Sequence, residues 1–253
     1  MSATAVFLDE IFISLQGEAG EIGRPHVFLR LAGCPLRCRY CDTPRSWQRQ
    51  AHFERHLGAQ TSLGVNPVSA EELDRELATL CKHHGLDPKR SVLAVTGGEP
   101  LEQVEFLAHW LPRWPGRVLL ETAGIWPERL IQLLPHLDVV SLDWKLPATL
   151  RVGAELCAPR DCLSAAAAAP GAPEVWVKVV VTATTSDEEI ARCLEEIADA
   201  APGARVFLQP VTPVGAGPKP PSAARLLEWS LRHDALALDL RVLPQMHPVL
   251  GAR

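Results

Sequence analysis

The chain has no apolar run approaching the ~20 residues that a membrane-spanning helix needs. Its first ten residues also lack the basic start and long apolar stretch of a secretory signal. A cytoplasmic protein without a membrane partner is the expectation. Positive charge is in short supply too: 25 Lys and Arg stand against 30 Asp and Glu, a formal charge of −5. A general nucleic-acid surface is normally basic, so no nucleic-acid partner is expected. A small anionic substrate stays open, because a pocket can be locally positive. No internal repeat is detectable. What is present, 47% hydrophobic and 22% charged residues in a 253-residue chain, is ordinary for a globular protein able to bury a core. Length alone allows one α/β domain or two small ones.

A closed zinc site is also missing its ligands. Cys34, Cys38 and Cys41 form C-x3-C-x2-C, with no nearby fourth cysteine or His-x3-His. Structural zinc takes four ligands, usually as two separated C-x2-C pairs. Three thiolates instead suit a [4Fe–4S] cluster, each holding one iron and leaving the fourth iron open to a chelating small molecule. Tyr40 completes the pattern C-x3-C-x-aromatic-C. The bland alternative is three chance cysteines or a partial zinc knuckle. Cys81, Cys157, Cys162 and Cys193 are read as ordinary reduced thiols.

Hydrophobic periodicity predicts strands at 6–15 and 27–31, the second running into the cysteine loop. Residues 46–67 are polar and without clear period, which predicts a loop insertion. His52 and His56 within it have the spacing of a helical metal pair, but a solvated loop face is the favoured reading. Ser69 and Glu72 form a capping box that opens a helix burying Leu73, Leu77 and Leu80. Strands follow at 91–96, 117–121, 138–142, 174–181, 205–208 and 236–243. Helices are predicted near 101–111, 127–134, from the second capping box at Ser186–Glu189, and at 222–233. Residues 146–173 read as a second insertion with one short helix.

Strands alternating with helices predict a parallel sheet of βα units. Seven or eight strands with fewer full helices predict one α/β domain over 1–253, an incomplete, modified (β/α) barrel. The standout polar and glycine residues nearly all follow a strand's carboxyl end. They are the cysteine loop, Thr96–Glu99, Glu121–Thr122, Ser141–Lys145, Gln209 and Gln245–His247. Ligands of parallel α/β folds bind at that edge, so these loops are expected to share one cleft.

Several motifs then appear in a specific order: Gln16-Gly17-Glu18, Gly23-Arg24-Pro25, Phe28-Leu29-Arg30, the cysteine motif with Asp42-Thr43, Thr96-Gly97-Gly98-Glu99-Pro100, Glu121-Thr122, Gln209-Pro210 and Gln245-x-His247. Together they resemble the 7-carboxy-7-deazaguanine synthases, radical S-adenosylmethionine (SAM) enzymes of the queuosine and 7-deazapurine pathway. The match runs nearly end to end. It implies a shortened (β/α) barrel of the radical SAM type, found as a homodimer. It implies conversion of 6-carboxy-5,6,7,8-tetrahydropterin to 7-carboxy-7-deazaguanine with loss of ammonia. A [4Fe–4S] cluster, SAM and Mg2+ are the implied cofactors, and a flavodoxin- or ferredoxin-type protein the implied reductant.

By position, the resemblance gives Cys34, Cys38 and Cys41 to the cluster and Thr43 to Mg2+. It gives Tyr40, Cys41, Asp42, Gly98, Ser141, Gln209, Pro210, Val211 and Thr212 to SAM. It gives Leu15, Gln16, Gly17, Glu18, Arg30, Thr96, His247 and Arg253 to the pterin and its carboxylate. The chain departs from the family pattern in its long 46–67 and 146–173 segments, and 141–145 aligns only loosely. Two rivals stay open: an activating enzyme that takes hydrogen from a partner protein, and a non-catalytic Fe–S or zinc module.

Overall fold

Along each central strand an apolar residue facing inward is followed, two positions on, by a polar one, and this switch builds the site. The computed structural model describes residues 4–252. Its strands are β1 (Ala5–Val6), β2 (Leu8–Leu15), β3 (Pro25–Leu31), β4 (His52–Leu57), β5 (Gln60–Val65), β6 (Val68–Ser69), β7 (Val92–Gly97), β8 (Arg117–Thr122), β9 (Val139–Asp143), β10 (Glu174–Val181), β11 (Arg205–Pro210) and β12 (Asp239–Val242). The helices are α1 (Ala70–His84), α2 (Val104–Trp110), α3 (Pro127–Leu133), α4 (Pro159–Ala168), α5 (Asp187–Ala200), α6 (Ala223–Arg232) and α7 (His247–Leu250).

Ten strands form one sheet in the order β12-β11-β10-β9-β8-β7-β3-β2-β4-β5. Every neighbouring pair from β3 to β12 is parallel. The sheet is open, with β12 and β5 at its ends, so the barrel is incomplete as expected. The N-terminal strand β2 departs from the all-parallel expectation. It runs antiparallel to β3, because the short Gln16–Arg24 connection turns the chain straight back.

Leu73, Leu77 and Leu80 of α1 are buried, each side chain contributing about 1.5–3 kcal/mol relative to exposure. The Ser69–Glu72 capping box forms: Glu72 N donates to Ser69 Oγ at 3.3 Å, and Ser69 N to Glu72 Oε2 at 2.8 Å. At α5 only half of the second box forms. Glu189 N donates to Ser186 Oγ, while Glu189 Oε1 accepts from Ala148 N at 3.1 Å. Inside the barrel a separate cluster of Phe12, Phe28, Ala94, Leu119, Val139, Trp176 and Phe207 forms the floor of the site, with Phe12 and Phe28 stacked 4.7 Å apart.

Residues 46–67 are not a loop. After a short turn (Pro44–Trp47) they form the β4–β5 hairpin, which joins the sheet through β4 against β2. Only Phe53, His56 and Gly64 of the two strands are buried, so the alternation is masked by an otherwise exposed edge. His52 and His56 therefore lie on a strand; His52 is exposed and His56 is buried. Residues 146–173 keep their irregular start and contain α4. This segment is pinned to the cysteine loop: Arg151 N donates to Arg37 O at 2.8 Å and Arg39 N to Thr149 O at 2.9 Å.

Candidate active site

One layer above the aromatic floor, consecutive strands present Glu10, Arg30, Thr96, Glu121, Ser141, Lys178 and Gln209. Cross-strand register aligns Glu10 with Arg30, Arg30 with Thr96, and Glu121 with Ser141. A cleft opens above them. Its walls include Cys34, Cys38, Tyr40, Cys41, Asp42, Thr43, Leu15–Glu18, Arg30, Thr96, Gly98, Gln209, Val211, Thr212 and His247. The strand-end rule has thus brought most of the sequence candidates together. Ser141 does not line the cleft; it is buried in β9, and Asp143, two residues further along the same face, lines it instead. Pro210, on the opposite face from its neighbours, is also absent from the walls. Arg253 lies outside the described residues.

The cysteine loop is anchored from below. Gly98 N donates to Leu31 O at 2.9 Å and Glu99 N to Gly33 O at 2.8 Å. A Cβ on Gly98 would clash with Gly33 O and Ser46 O, so the close strand-to-loop approach requires glycine. The Glu99 carboxylate is structural. Oε1 accepts from Leu101 N at 3.0 Å and Thr122 Oγ1 at 2.7 Å, and Oε2 from Ala123 N at 2.8 Å. Burial pushes its carboxyl up despite these bonds. All three motif thiols are free and half-buried. Burial pushes Cys34 up to about 12, and raises Cys38 and Cys41 as well.

Two lysines join Arg30 in giving the cleft positive charge: Lys145, which ends the 141–145 stretch marked in the sequence, and Lys178, which was not marked. Lys178 Nζ pairs with Glu18 Oε2 and lies 3.3 Å from Asp143 Oδ2; Lys145 Nζ donates to the same Asp143 oxygen at 2.6 Å. Burial by itself lowers both ammonium groups, but Asp143, with Glu18 at Lys178, outweighs it and keeps both charged. Burial likewise opposes the charge on Glu18. Lys178, Gln245 and Gln209 overcome it and hold the carboxyl down to about 2. Gln245 donates to Glu18 Oε1 at 2.6 Å and Gln209 at 3.1 Å. On the other wall, Glu121 accepts from Gln16 Nε2 and from Thr96 Oγ1, each at 2.9 Å. Lys178 had a sequence signal: a lone charge inside the apolar run of β10.

The C-terminal tail folds onto the cleft. Met246 N donates to Gly17 O at 2.8 Å, and α7 sets His247 against Gly17. A Cβ on Gly17 would fall 2.5 Å from His247 Nδ1, so this contact needs glycine.

With this geometry in hand, comparison with known proteins is decisive. A family model described as a 4Fe-4S single cluster domain matches residues 18–132. The 7-carboxy-7-deazaguanine synthase of Geobacter sulfurreducens is 35% identical over 259 residues, covering 99% of this chain and 99% of its own. The chain belongs to the 7-carboxy-7-deazaguanine synthase family. The synthase of Pyrobaculum aerophilum is likewise 35% identical, over 98% of this chain and 96% of its own. In three dimensions, QueE from Escherichia coli matches with a TM-score of 0.56 at 20% identity, covering 94% of this chain and 93% of its own. A radical SAM methyltransferase from Sphaerobacter thermophilus matches at 0.54 and 17% identity, over 87% of this chain and 66% of its own. These two likenesses carry the fold, the partial barrel of radical SAM enzymes.

The cofactors of such an enzyme, a [4Fe–4S] cluster and SAM, suit the residues present. Three unpaired thiols on one loop face the same cleft. Cluster iron would invert their raised pKa values by binding the thiolates. Asp143 Oδ1 is buried in the cleft wall with no hydrogen-bond partner among the described residues, which fits a polar ligand not yet in place.

Proposed function

We propose that this chain converts 6-carboxy-5,6,7,8-tetrahydropterin to 7-carboxy-7-deazaguanine with loss of ammonia, in queuosine and 7-deazapurine biosynthesis. One observation carries this most: three cluster-type thiols and an arginine with an unoccupied terminal fork face a single cleft. When bound, the cluster and SAM supply a radical able to take hydrogen from C6 of the pterin. The residues of the chain bind, orient and exclude water.

Arg30 takes the pterin carboxylate, since a guanidinium fork matches a carboxylate with two parallel hydrogen bonds. Thr96 stands beside it. Leu15 to Glu18 and His247 enclose the ring, Glu18 accepting from its N–H groups as an anion. Tyr40, Cys41, Asp42, Gly98, Gln209, Val211 and Thr212, which line the cleft, are assigned to SAM. Lys145 adds positive charge beside the thiols, where the cluster and the SAM carboxylate belong. Thr43, whose hydroxyl donates to Asp42 Oδ1 at 2.8 Å, is assigned to Mg2+, a cation that prefers hard oxygen ligands.

Residues 1–253 are proposed to act as one radical SAM domain, as a homodimer in the cytoplasm, without a nucleic-acid or membrane partner. Among the described residues no helix is long and apolar enough to cross a membrane. The reductant is proposed to be an acidic flavodoxin- or ferredoxin-type protein, for which Arg39 and Arg151, exposed beside the cysteine loop, supply complementary charge.

Anaerobic reconstitution with iron and sulfide, then incubation with SAM, reductant and the carboxypterin, tests the assignment by mass spectrometry. Formation of 7-carboxy-7-deazaguanine is expected. SAM cleavage that ignores the pterin would favour an activating enzyme, and no SAM cleavage at all a binding module.

A further inference from the structure

Arg30 lines the cleft, but the groups that hold it lie beside it on the same face of the sheet, toward the open edge and outside the cleft lining. Arg30 Nε donates to Glu10 Oε1 at 2.8 Å, and Glu10 Oε2 lies 3.0 Å from His56 Nε2. His56 Nδ1 in turn lies 3.0 Å from Thr61 Oγ1. This chain of contacts crosses four strands, from β3 through β2 and β4 to β5 at the open edge. Glu10 and His56 are 3% and 5% exposed, and neither lines the cleft.

The way Glu10 meets Arg30 matters. Contact is through Nε alone; among the described residues no hydrogen bond engages the two terminal nitrogens. A carboxylate left to itself beside arginine Nε pairs with both oxygens, the second taking a terminal nitrogen and so one prong of the fork. Here the second oxygen of Glu10 is held by His56, with Arg45 Nη2 3.8 Å away. Glu10 therefore neutralises and orients Arg30 while leaving its fork open toward the cleft.

Glu10, Glu54 and His56 also place ligand atoms within 4.8 Å of one another, as a metal site would. Their counter-charges are already supplied by the protein. Arg45 pairs with Glu54 and with Asp9, and Arg30 with Glu10. Two guanidinium groups against the same carboxylates make a further cation unfavourable there.

We propose that Glu10 and His56 are positioning residues. They hold Arg30 through Nε alone, so that its terminal fork remains free for the substrate carboxylate. The β4–β5 hairpin thereby acts on a site it does not line. The inference rests on Arg30 being the carboxylate partner proposed above, and the test separates the two ideas.

Binding of 6-carboxypterin, an unreactive analogue, is compared by pterin fluorescence with binding of pterin lacking the carboxylate, on the cluster- and SAM-loaded protein. His56→Ala is expected to weaken 6-carboxypterin about tenfold, the scale of a charge-assisted hydrogen bond, and to leave plain pterin unchanged. In turnover it raises KM for the carboxypterin with little change in kcat. His56→Gln, whose amide can still donate to Glu10, restores most of the affinity. Arg30→Ala should abolish the preference for the carboxylate; if it keeps that preference, the carboxylate assignment of Arg30 fails, and the inference with it. If Arg30→Ala loses the preference but His56→Ala retains it fully, the positioning role alone is overturned. Equal weakening of both ligands in His56→Ala, not restored by His56→Gln, also overturns it, because that is the mark of general damage. Should His56→Ala not fold, Thr61→Val on the exposed edge decides. A selective loss of about threefold supports the relay and no loss refutes it.

Discussion

The Glu18 carboxylate and the Lys178 ammonium, 160 positions apart in the chain, are ion-paired within the cleft. The pair joins the turn after β2 to the middle of β10, and so ties the first part of the barrel to the last. Both groups are largely buried, so each is the other's compensation for lost water.

Lys178→Met should leave the buried Glu18 without its cation, held only by Gln245 and Gln209, costing about 3–5 kcal/mol of stability, as broken buried pairs do. Adding Glu18→Gln should recover much of that loss while leaving pterin binding impaired. Urea unfolding of the single and double variants checks this; equal midpoints for the wild type and Lys178→Met would rule out the coupling.

The tail gives a steric prediction. Gly17→Ala places a methyl against His247 and should lever α7 away from the cleft. KM for the pterin should rise, or turnover fall, with iron content unchanged, as it should for His247→Ala. A tag fused after Arg253 should impair activity more than one before Met1. Equal kinetics for the two tagged forms at saturating SAM and reductant would show that the tail is a bystander.

Most of the site could be read from sequence because chemistry and topology coincide at strand ends. The cysteine spacing, Thr96–Glu99, Gln209 and His247 each follow a strand, and in a parallel sheet that is one edge. Residues deeper in the strands were harder to read. Lys178 acts from within an apolar run, where the pattern shows only β-structure. Asp143 stands in the marked 141–145 stretch, but the resemblance gives the role there to Ser141. His56 was set aside as a solvated loop residue because its strand has one face in water. The signal for the hairpin was Gly58-Ala59, a two-residue connection with Gly58 at φ 58° between two six-residue strands.

Thr43→Ala should keep the cluster and SAM binding but weaken the dependence of turnover on Mg2+. An unchanged magnesium titration would leave Thr43 as a loop residue whose carbonyl accepts from Ser46 N at 3.0 Å.

His26 predicts a pH dependence of folding. Its ring is fully buried, with neither nitrogen hydrogen-bonded among the described residues, and burial pushes it down to about 4 although Glu21 lies 3.7 Å away. Unfolded, it titrates near 6.5. Above that value neither state binds the proton; as pH falls toward 4 the unfolded chain takes it up first, so stability declines across this window. The loss should reach roughly 3 kcal/mol, and His26→Phe should flatten it. Urea midpoints measured through the window decide, a parallel slope in the variant counting against the assignment.

The central claim, that the cysteine loop and the Arg30 side of the cleft serve one radical reaction on a carboxypterin, is tested most directly with substrate deuterated at C6. Product plus ammonia holds all the atoms of the substrate, so the abstracted hydrogen must be returned. Reconstituted enzyme should form both and carry label at the 5′ carbon of the adenosyl group, recovered in SAM or in 5′-deoxyadenosine. Cys34→Ala, Cys38→Ala and Cys41→Ala should lose cluster and product alike, while Cys81→Ala, a buried thiol of α1, keeps both. Product formed with no label in either SAM or 5′-deoxyadenosine, or label transfer that persists in Cys38→Ala, would contradict the account.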